Sequence, residues 1–189
     1  MGVTSRVAGL ADEVFEHDGQ LTKRDLRASA LARLAPSPGE LLWDVGAGAG
    51  SISIEWMRTD ARCYAIAVEA DVERADRCAR NAAALGVPTL TVVHGHAPDA
   101  LRGLADPAAI FIGGGATGSG VIDTCWQALP PGGRLVVHGV TLETEAFLLE
   151  QFRQRGGELS RIAVEHADAI GAFTGWKPAR AVVQWSVTR

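Results

Sequence analysis

Two carboxylates and a run of glycines occupy positions where chemistry can be done. Asp44 lies at the end of the apolar run Leu41, Leu42, Trp43 and Val45, and the turn Gly46-Ala47-Gly48-Ala49-Gly50 follows at once. Glycine lets a backbone adopt positive φ and approach a ligand closely, which suits such a turn to cradling part of a nucleotide-like molecule. The second carboxylate, Glu69, ends the next apolar run, 64–68. An acidic side chain about 20 residues past a glycine loop, at the tip of the second strand, can accept hydrogen bonds from ribose hydroxyls. Each feature alone is also met in an ordinary strand-to-helix turn or a solvated strand end. In this order they point to an adenosine-type cofactor. The dinucleotide fingerprint G-x-G-x-x-G has its third glycine one residue later than the G-x-G-x-G found here.

These residues need a βαβ frame to bring them together, and the hydrophobic periodicity supplies one. Residues 22–34 place Leu26, Ala30, Leu31 and Leu34 on one helical face, with Thr22 as N-cap and Asp25 three residues on; Pro36, Pro38 and Gly39 end the helix. The first strand, 41–45, runs into the glycine turn, and Ser51 is placed to cap a helix that fades by Asp60. After Glu69, Asp71 caps a helix over 72–85 that Gly86 closes. A third strand, 90–93, leads into Gly95-His96-Ala97, and a fourth, 108–112, opens into the permissive loop 113–120. A helix over 121–129, breakers at 130–133, a fifth strand over 134–138 and a helix over 141–155 follow. Only a loop separates the last two strands, 159–164 and 181–187, so they are expected to pair antiparallel. Ligands of open parallel sheets bind at the strands' carboxyl ends, where the glycine turn, Glu69, His96 and loop 113–120 would meet.

Composition narrows the class. The chain has 189 residues, 47% of them hydrophobic, enough for one domain with a full core. Residues 1–18 are expected to be a flexible lead-in or linker and 19–189 a single domain. A formal charge of −4 gives no basic excess for nucleic acid. Cys63, Cys78 and Cys125 are scattered without metal-ligand spacing, so buried reduced thiols in the cytoplasm are expected and no metal site. No run approaches the roughly 18 apolar residues of a membrane span, and the N-terminus lacks the pattern of a signal peptide, so no membrane partner is expected.

Asp44 with the G-x-G-x-G turn resembles the S-adenosylmethionine loop of Rossmann-like methyltransferases. Several further stretches are similar to one narrower family, the decarboxylating precorrin methyltransferases of cobalamin biosynthesis. They are Leu21-Thr22-Lys23-Arg24-Asp25-Leu26-Arg27, the stretch 44–56, the Ala-Pro-Asp-Ala-Leu run within 95–101, the stretch 111–115 and the stretch 131–134. The resemblance implies an α/β fold of the class I methyltransferase kind, with a seven-stranded, mostly parallel sheet whose last strand is antiparallel. It implies S-adenosyl-L-methionine as cofactor, leaving as S-adenosyl-L-homocysteine, held by Thr22, Asp44, Gly46, Ala47, Gly48, Ala49, Gly50, Glu69, Ala70, His96, Ala97 and Gly113. His96 stands where the family usually has an acidic residue, and an adenine contact and a structural loop histidine both remain open for it.

The implied substrate is a tetrapyrrole, methylated at C15 and decarboxylated at its C12 acetate. Its many carboxylates call for cations at the open end of the sheet, and Lys23, Arg24 and Arg27 are the candidates, with Gly114, Gly115 and Ser119 lining the approach. His94 and His138, near strand ends, lie within reach of such a substrate, although satisfied structural histidines are commoner. No residue presents itself as a catalytic nucleophile or base. Related enzymes form oligomers, commonly tetramers, and one form of the family is half of a bifunctional polypeptide. Two other readings stay open: an RNA or protein methyltransferase, opposed by the acidic balance and by the lack of an Asn/Asp-Pro-Pro-aromatic motif after the fourth strand, and a noncatalytic cofactor-binding module.

Overall fold

A computed structural model describes residues 6–189. Five helices and nine strands follow one another as α1 (Arg24–Leu34), β1 (Leu41–Val45), α2 (Ser51–Thr59), β2 (Tyr64–Glu69), α3 (Val72–Ala84), β3 (Thr91–His94), β4 (Ala109–Ile112), α4 (Val121–Ala128), β5 (Arg134–Gly139), α5 (Leu142–Arg155), β6 (Glu158–Ile162), β7 (Glu165–Ile170), β8 (Phe173–Pro178) and β9 (Val182–Thr188). Seven strands form one sheet in the order β3-β2-β1-β4-β5-β9-β6. β1 pairs in parallel with both β2 and β4, so the strand order reverses there and opens a crevice at the carboxyl edge. β9 runs antiparallel to both β5 and β6. The expected seven-stranded, mostly parallel sheet with an antiparallel last strand is therefore the fold observed.

Alternation along the central strands divides the core between the two faces. Leu42, Phe111 and Val136 face one side and pack with Leu34, Ile52, Ile54 and Trp56 from α1 and α2. Trp43, Val45, Ile110, Ile112, Leu135 and Val137 face the other and pack with Ile122 of α4, Leu148 of α5 and Trp185. Strands covered on both faces read as the near-continuous apolar runs seen in the sequence.

Local details differ from the sequence reading in four places. α1 starts at Arg24 rather than 22, and its N-cap is Lys23 without a side-chain bond; the Thr22 carbonyl is instead taken by Arg27. Ser51 does not cap α2: Gly50 holds that position in the left-handed region, and Ser51 is buried as the first helical residue. Asp71 does cap α3, accepting the Arg74 amide at 3.0 Å. The stretch before β9, read as loop, contains a hairpin of β7 and β8 that forms its own two-stranded sheet. Its strands bury nothing on either face, so they carry no alternating pattern to read.

The fourth difference lies in the lead-in. Leu10 and Phe15 are buried in the core, and the Gly9 and Leu10 amides donate to Glu55 of α2 at 2.6 and 2.9 Å. Asn81 of α3 accepts from the Glu16 amide at 2.8 Å and donates to the Glu16 and Ala49 carbonyls. Residues 9–20 thus form a strap fastened across α2, α3 and the glycine turn, in place of a loose linker. Among the described residues, no helix is long and apolar enough to cross a membrane, and no group of His, Cys, Asp and Glu has metal-site spacing.

Candidate functional site

The glycine turn after β1 is folded onto the neighbouring strand, because the Gly46 and Ala47 amides both donate to the Val68 carbonyl, at 2.9 and 3.2 Å. Its path needs glycine. Gly46, Gly48 and Gly50 have φ of +70°, +57° and +75°. A Cβ on Gly46 would lie 2.8 Å from the Gly114 carbonyl oxygen, and one on Gly48 would lie 2.9 Å from that of Gln20. The turn is therefore pressed between loop 113–120 and the strap, with the Gly46, Ala47, Gly48 and Gly50 amides all donating within the protein.

Glu69 ties this turn to β2. Its carboxylate accepts the Gly48 amide at 2.8 Å and the Asp71 amide at 3.0 Å, while the residue is 6% exposed. An ionised carboxylate offers about four lone-pair directions, so two protein bonds leave capacity for hydroxyl donors. Ala70 and His94 are joined by a 3.1 Å bond between the Ala70 carbonyl and Nε2, and Gly95 donates to the Glu69 carbonyl at 2.9 Å. His96 and Ala97 follow directly on the same edge, with His96 exposed.

Asp44 acts from beneath. It is buried, and its Oδ2 accepts both the Ser53 amide at 3.1 Å and the Ser53 hydroxyl at 2.7 Å. This carboxylate occupies the N-terminal amide end of α2, the place where phosphate-binding turns receive their anion. Burial raises its pKa to about 6, the bonds from Ser53 opposing and nearby Glu69 adding to the rise. Two carboxylates beneath and beside one glycine turn make the cradle electronegative, unsuited to a pyrophosphate and suited to a ligand whose amino-acid end is cationic.

The turn opens into a cleft of about 1040 Å³. Gly46, Ala47, Gly48, Gly113, Gly114 and Thr22 line its inner part, and Lys23 and Arg24 stand on the strap side. His138 of β5 and Arg180 before β9 also line it. Gly115 and Ser119 lie farther out on loop 113–120, exposed, and do not line the cleft.

Arg27, expected at the substrate, is elsewhere. It is fully buried, and its guanidinium bonds Glu55, Asp12 and the Thr22 and Leu10 carbonyls, with Phe15 packed against its face at 4.8 Å. Four of its five N–H donors are used inside the protein, so it binds the strap to α1 and α2, and it does not line the cleft. The sequence reading passed over Arg180 because it sits in a polar stretch with no motif, and over Gln20 because its contribution is a backbone carbonyl.

Three observations fit this site to S-adenosylmethionine: glycines whose added Cβ atoms would collide, a buried carboxylate with acceptor capacity at the ribose position, and an acidic group filling the helix end a phosphate would need. Comparison with known proteins agrees with the geometry. A family model described as a precorrin methyltransferase domain matches residues 13–189. The chain is 55% identical over 182 residues to a precorrin-6Y C(5,15)-methyltransferase [decarboxylating] of Sinorhizobium sp, covering 96% of this chain and 44% of that protein. It is 47% identical to the protein of the same name from Mycobacterium tuberculosis, covering 97% of this chain and 47% of that one. The chain thus spans about half the length of these curated relatives. The crystal structure of the C-terminal domain of precorrin-6Y C5,15-methyltransferase from Rhodobacter capsulatus superposes with a TM-score of 0.92 at 42% identity, over 98% of this chain and 100% of that one. With the fold, the glycine cradle and these relatives in agreement, the chain belongs to the precorrin methyltransferase family.

Proposed function

We propose that this chain is an S-adenosylmethionine-dependent C-methyltransferase of cobalamin biosynthesis that methylates C15 of a precorrin and removes the carboxyl group of its C12 acetate. The observation that carries the reading is the join between an electronegative glycine cradle, built from Asp44, Gly48 and Glu69, and a large cleft rimmed by Lys23, Arg24 and Arg180. One part suits a cationic adenosine ligand and the other a polycarboxylate. Glu69 takes the ribose hydroxyls, Thr22 and the close-packed turn 46–50 border the amino-acid end, and Ala70, His96, Ala97 and Gly113 border the base and the methyl-bearing centre. When bound, S-adenosylmethionine supplies an electrophilic sulfonium methyl.

The chain's own contribution is position and exclusion of water. Lys23 and Arg24 at the start of α1 and Arg180 before β9 hold peripheral carboxylates by charge-assisted hydrogen bonds, fixing the ring over the cofactor turn. The strap carries one side of the cleft, so its fastening to α2 and α3 sets the width available to the substrate. Loop 113–120, with Gly114, Gly115 and Ser119, borders the approach. The methyltransferase domain is taken as 19–189, with the strap anchored to it through Glu55 and Asn81, and the chain as one half of a bifunctional polypeptide of the kind its relatives' lengths suggest.

Mass spectrometry of a late precorrin incubated with the chain and S-adenosylmethionine tests the reading. The expected product has gained one methyl group and lost carbon dioxide. Tight cofactor binding with no change in any tetrapyrrole mass would point to the noncatalytic alternative.

A further inference from the structure

One buried side chain in the cleft is held in a single protonation state by a relay behind it. His138, next to the last residue of β5, pairs with Gln184 of β9, and both are buried. Gln184 in turn meets α1. Its amide oxygen has to face Arg33, accepting from Nε at 3.0 Å and Nη1 at 3.2 Å, with Ser29 Oγ at 3.3 Å, because the other orientation sets N–H groups against a guanidinium. The amide nitrogen then faces His138 and donates to Nε2 at 2.9 Å. A ring nitrogen that accepts carries no proton. The proton of the neutral imidazole is therefore on Nδ1.

The same relay opposes a second proton, since Nε2–H would confront the Gln184 amide. Burial, with the Arg33 charge behind Gln184, lowers the pKa of His138 to about 4. Phe111 fixes the ring plane by an edge contact at 4.9 Å between centroids and 83° between planes. Nδ1 has no protein partner. Among the described residues the only fully buried side-chain nitrogen or oxygen without a hydrogen bond is Trp56 Nε1, so Nδ1 opens on the cleft that His138 lines. The result is a neutral donor with a fixed direction, 93% buried, as 7% is exposed.

We propose that His138 donates from Nδ1 to the reacting carboxylate of the substrate and orients it for loss of carbon dioxide, an assignment that rests on the decarboxylating reading above. The choice of a neutral donor has a chemical reason. A cation bound to that carboxylate would stabilise the charge that must leave it, and so favour the ground state over the transition state. A neutral N–H holds the group in place with less of that penalty. Lys23, Arg24 and Arg180 serve the carboxylates that do not react. In the step, the bond between the acetate methylene and its carboxyl carbon breaks and carbon dioxide departs. The electron pair passes into the conjugated macrocycle, and a proton from water completes the methyl group. His138 keeps its proton throughout.

The test compares the ratio of carbon dioxide released to methyl transferred, using precorrin-6Y substrate, with ¹⁵N spectra of the His138 ring. Wild type is expected to show Nδ1 protonated and Nε2 bare. His138→Phe keeps an aromatic ring beside Phe111 but has no donor, and the ratio is expected to fall about 10- to 100-fold, as for misplacement of a reacting group. His138→Asn, which returns an N–H near the Nδ1 position, should recover a large part of it. Gln184→Glu reverses the relay, moving a proton to Nε2 in the spectra and lowering the ratio without touching the substrate. Release at the wild-type ratio by His138→Phe, or a wild-type spectrum with Nε2 protonated, overturns the proposal. If wild type neither methylates nor decarboxylates, the decarboxylating reading fails instead, and the spectra still decide the tautomer.

Discussion

The Glu69 carboxylate at the tip of β2 accepts the Gly48 amide at 2.8 Å, so the end of β2 and the glycine turn are one hydrogen-bonded unit. Glu69→Ala removes the proposed ribose contact and also frees the turn. S-adenosylhomocysteine affinity is expected to fall about 10- to 100-fold by calorimetric titration, as for loss of a charged hydrogen bond. Glu69→Gln, which can still accept one amide bond, should lose less.

Gly50 is constrained twice. Its φ of +75° disfavours any side chain, and a Cβ would run into the Cys78 thiol on α3. Gly50→Ala is expected to lower unfolding stability by about 2–4 kcal/mol in urea titrations. Only the steric part can be relieved from outside, so adding Cys78→Ala should return part of the loss, giving a non-additive double-mutant cycle.

Both constraints show what a sequence can and cannot reveal. Gly46, Gly48, Gly50 and Glu69 are legible because glycine and spacing encode a backbone need that any strand–turn–helix imposes. The β-strands were legible for a similar reason, as Trp43, Val45, Ile110 and Ile112 mark a sheet buried on both faces. Arg27 was misread because a guanidinium beside a cofactor motif looks the same whether it faces ligand or core; only Glu55, far along the chain, decides it. The hairpin of β7 and β8 was hidden because Ile170, Phe173 and Trp176 are exposed and follow no buried alternation. The relay behind His138 joins α1, β5 and β9 and has no local signature.

Arg27 is the fastening of the strap. Arg27→Met leaves Glu55 charged and buried beside it and strips partners from the Leu10 and Thr22 carbonyls. A loss of about 3–5 kcal/mol in unfolding free energy is expected, typical of breaking one side of a buried pair. Arg27→Lys should not restore it, because one ammonium cannot span acceptors arranged for a planar fork. Hydrogen exchange at Gly9 and Leu10 should accelerate in both variants.

Asp44 and His138 pull stability in opposite directions with pH. The folded-state pKa of Asp44, about 6, lies above its ordinary value of 3.8, so its contribution is most favourable below 3.8 and is lost as pH rises through 6. That of His138, about 4, lies below its ordinary 6.5, so its contribution is complete above 6.5 and is lost as pH falls through 4. Between pH 4 and 6 the two partly cancel. Asp44→Asn, whose amide oxygen can still accept from Ser53, should make stability fall more steeply on acidification across that window. His138→Asn should flatten or reverse the slope, and thermal melts at half-unit pH steps read both.

The most direct measurement of the central claim is ¹³C NMR of the tetrapyrrole formed from precorrin-6Y by this chain with S-adenosylmethionine labelled in its methyl group. The account predicts label at C15 and a C12 acetate converted to methyl, with both changes slowed when Glu69 is replaced by alanine and cofactor is kept below saturation. Label at another carbon, or a C12 acetate that keeps its carboxyl group beside a labelled C15, would contradict it.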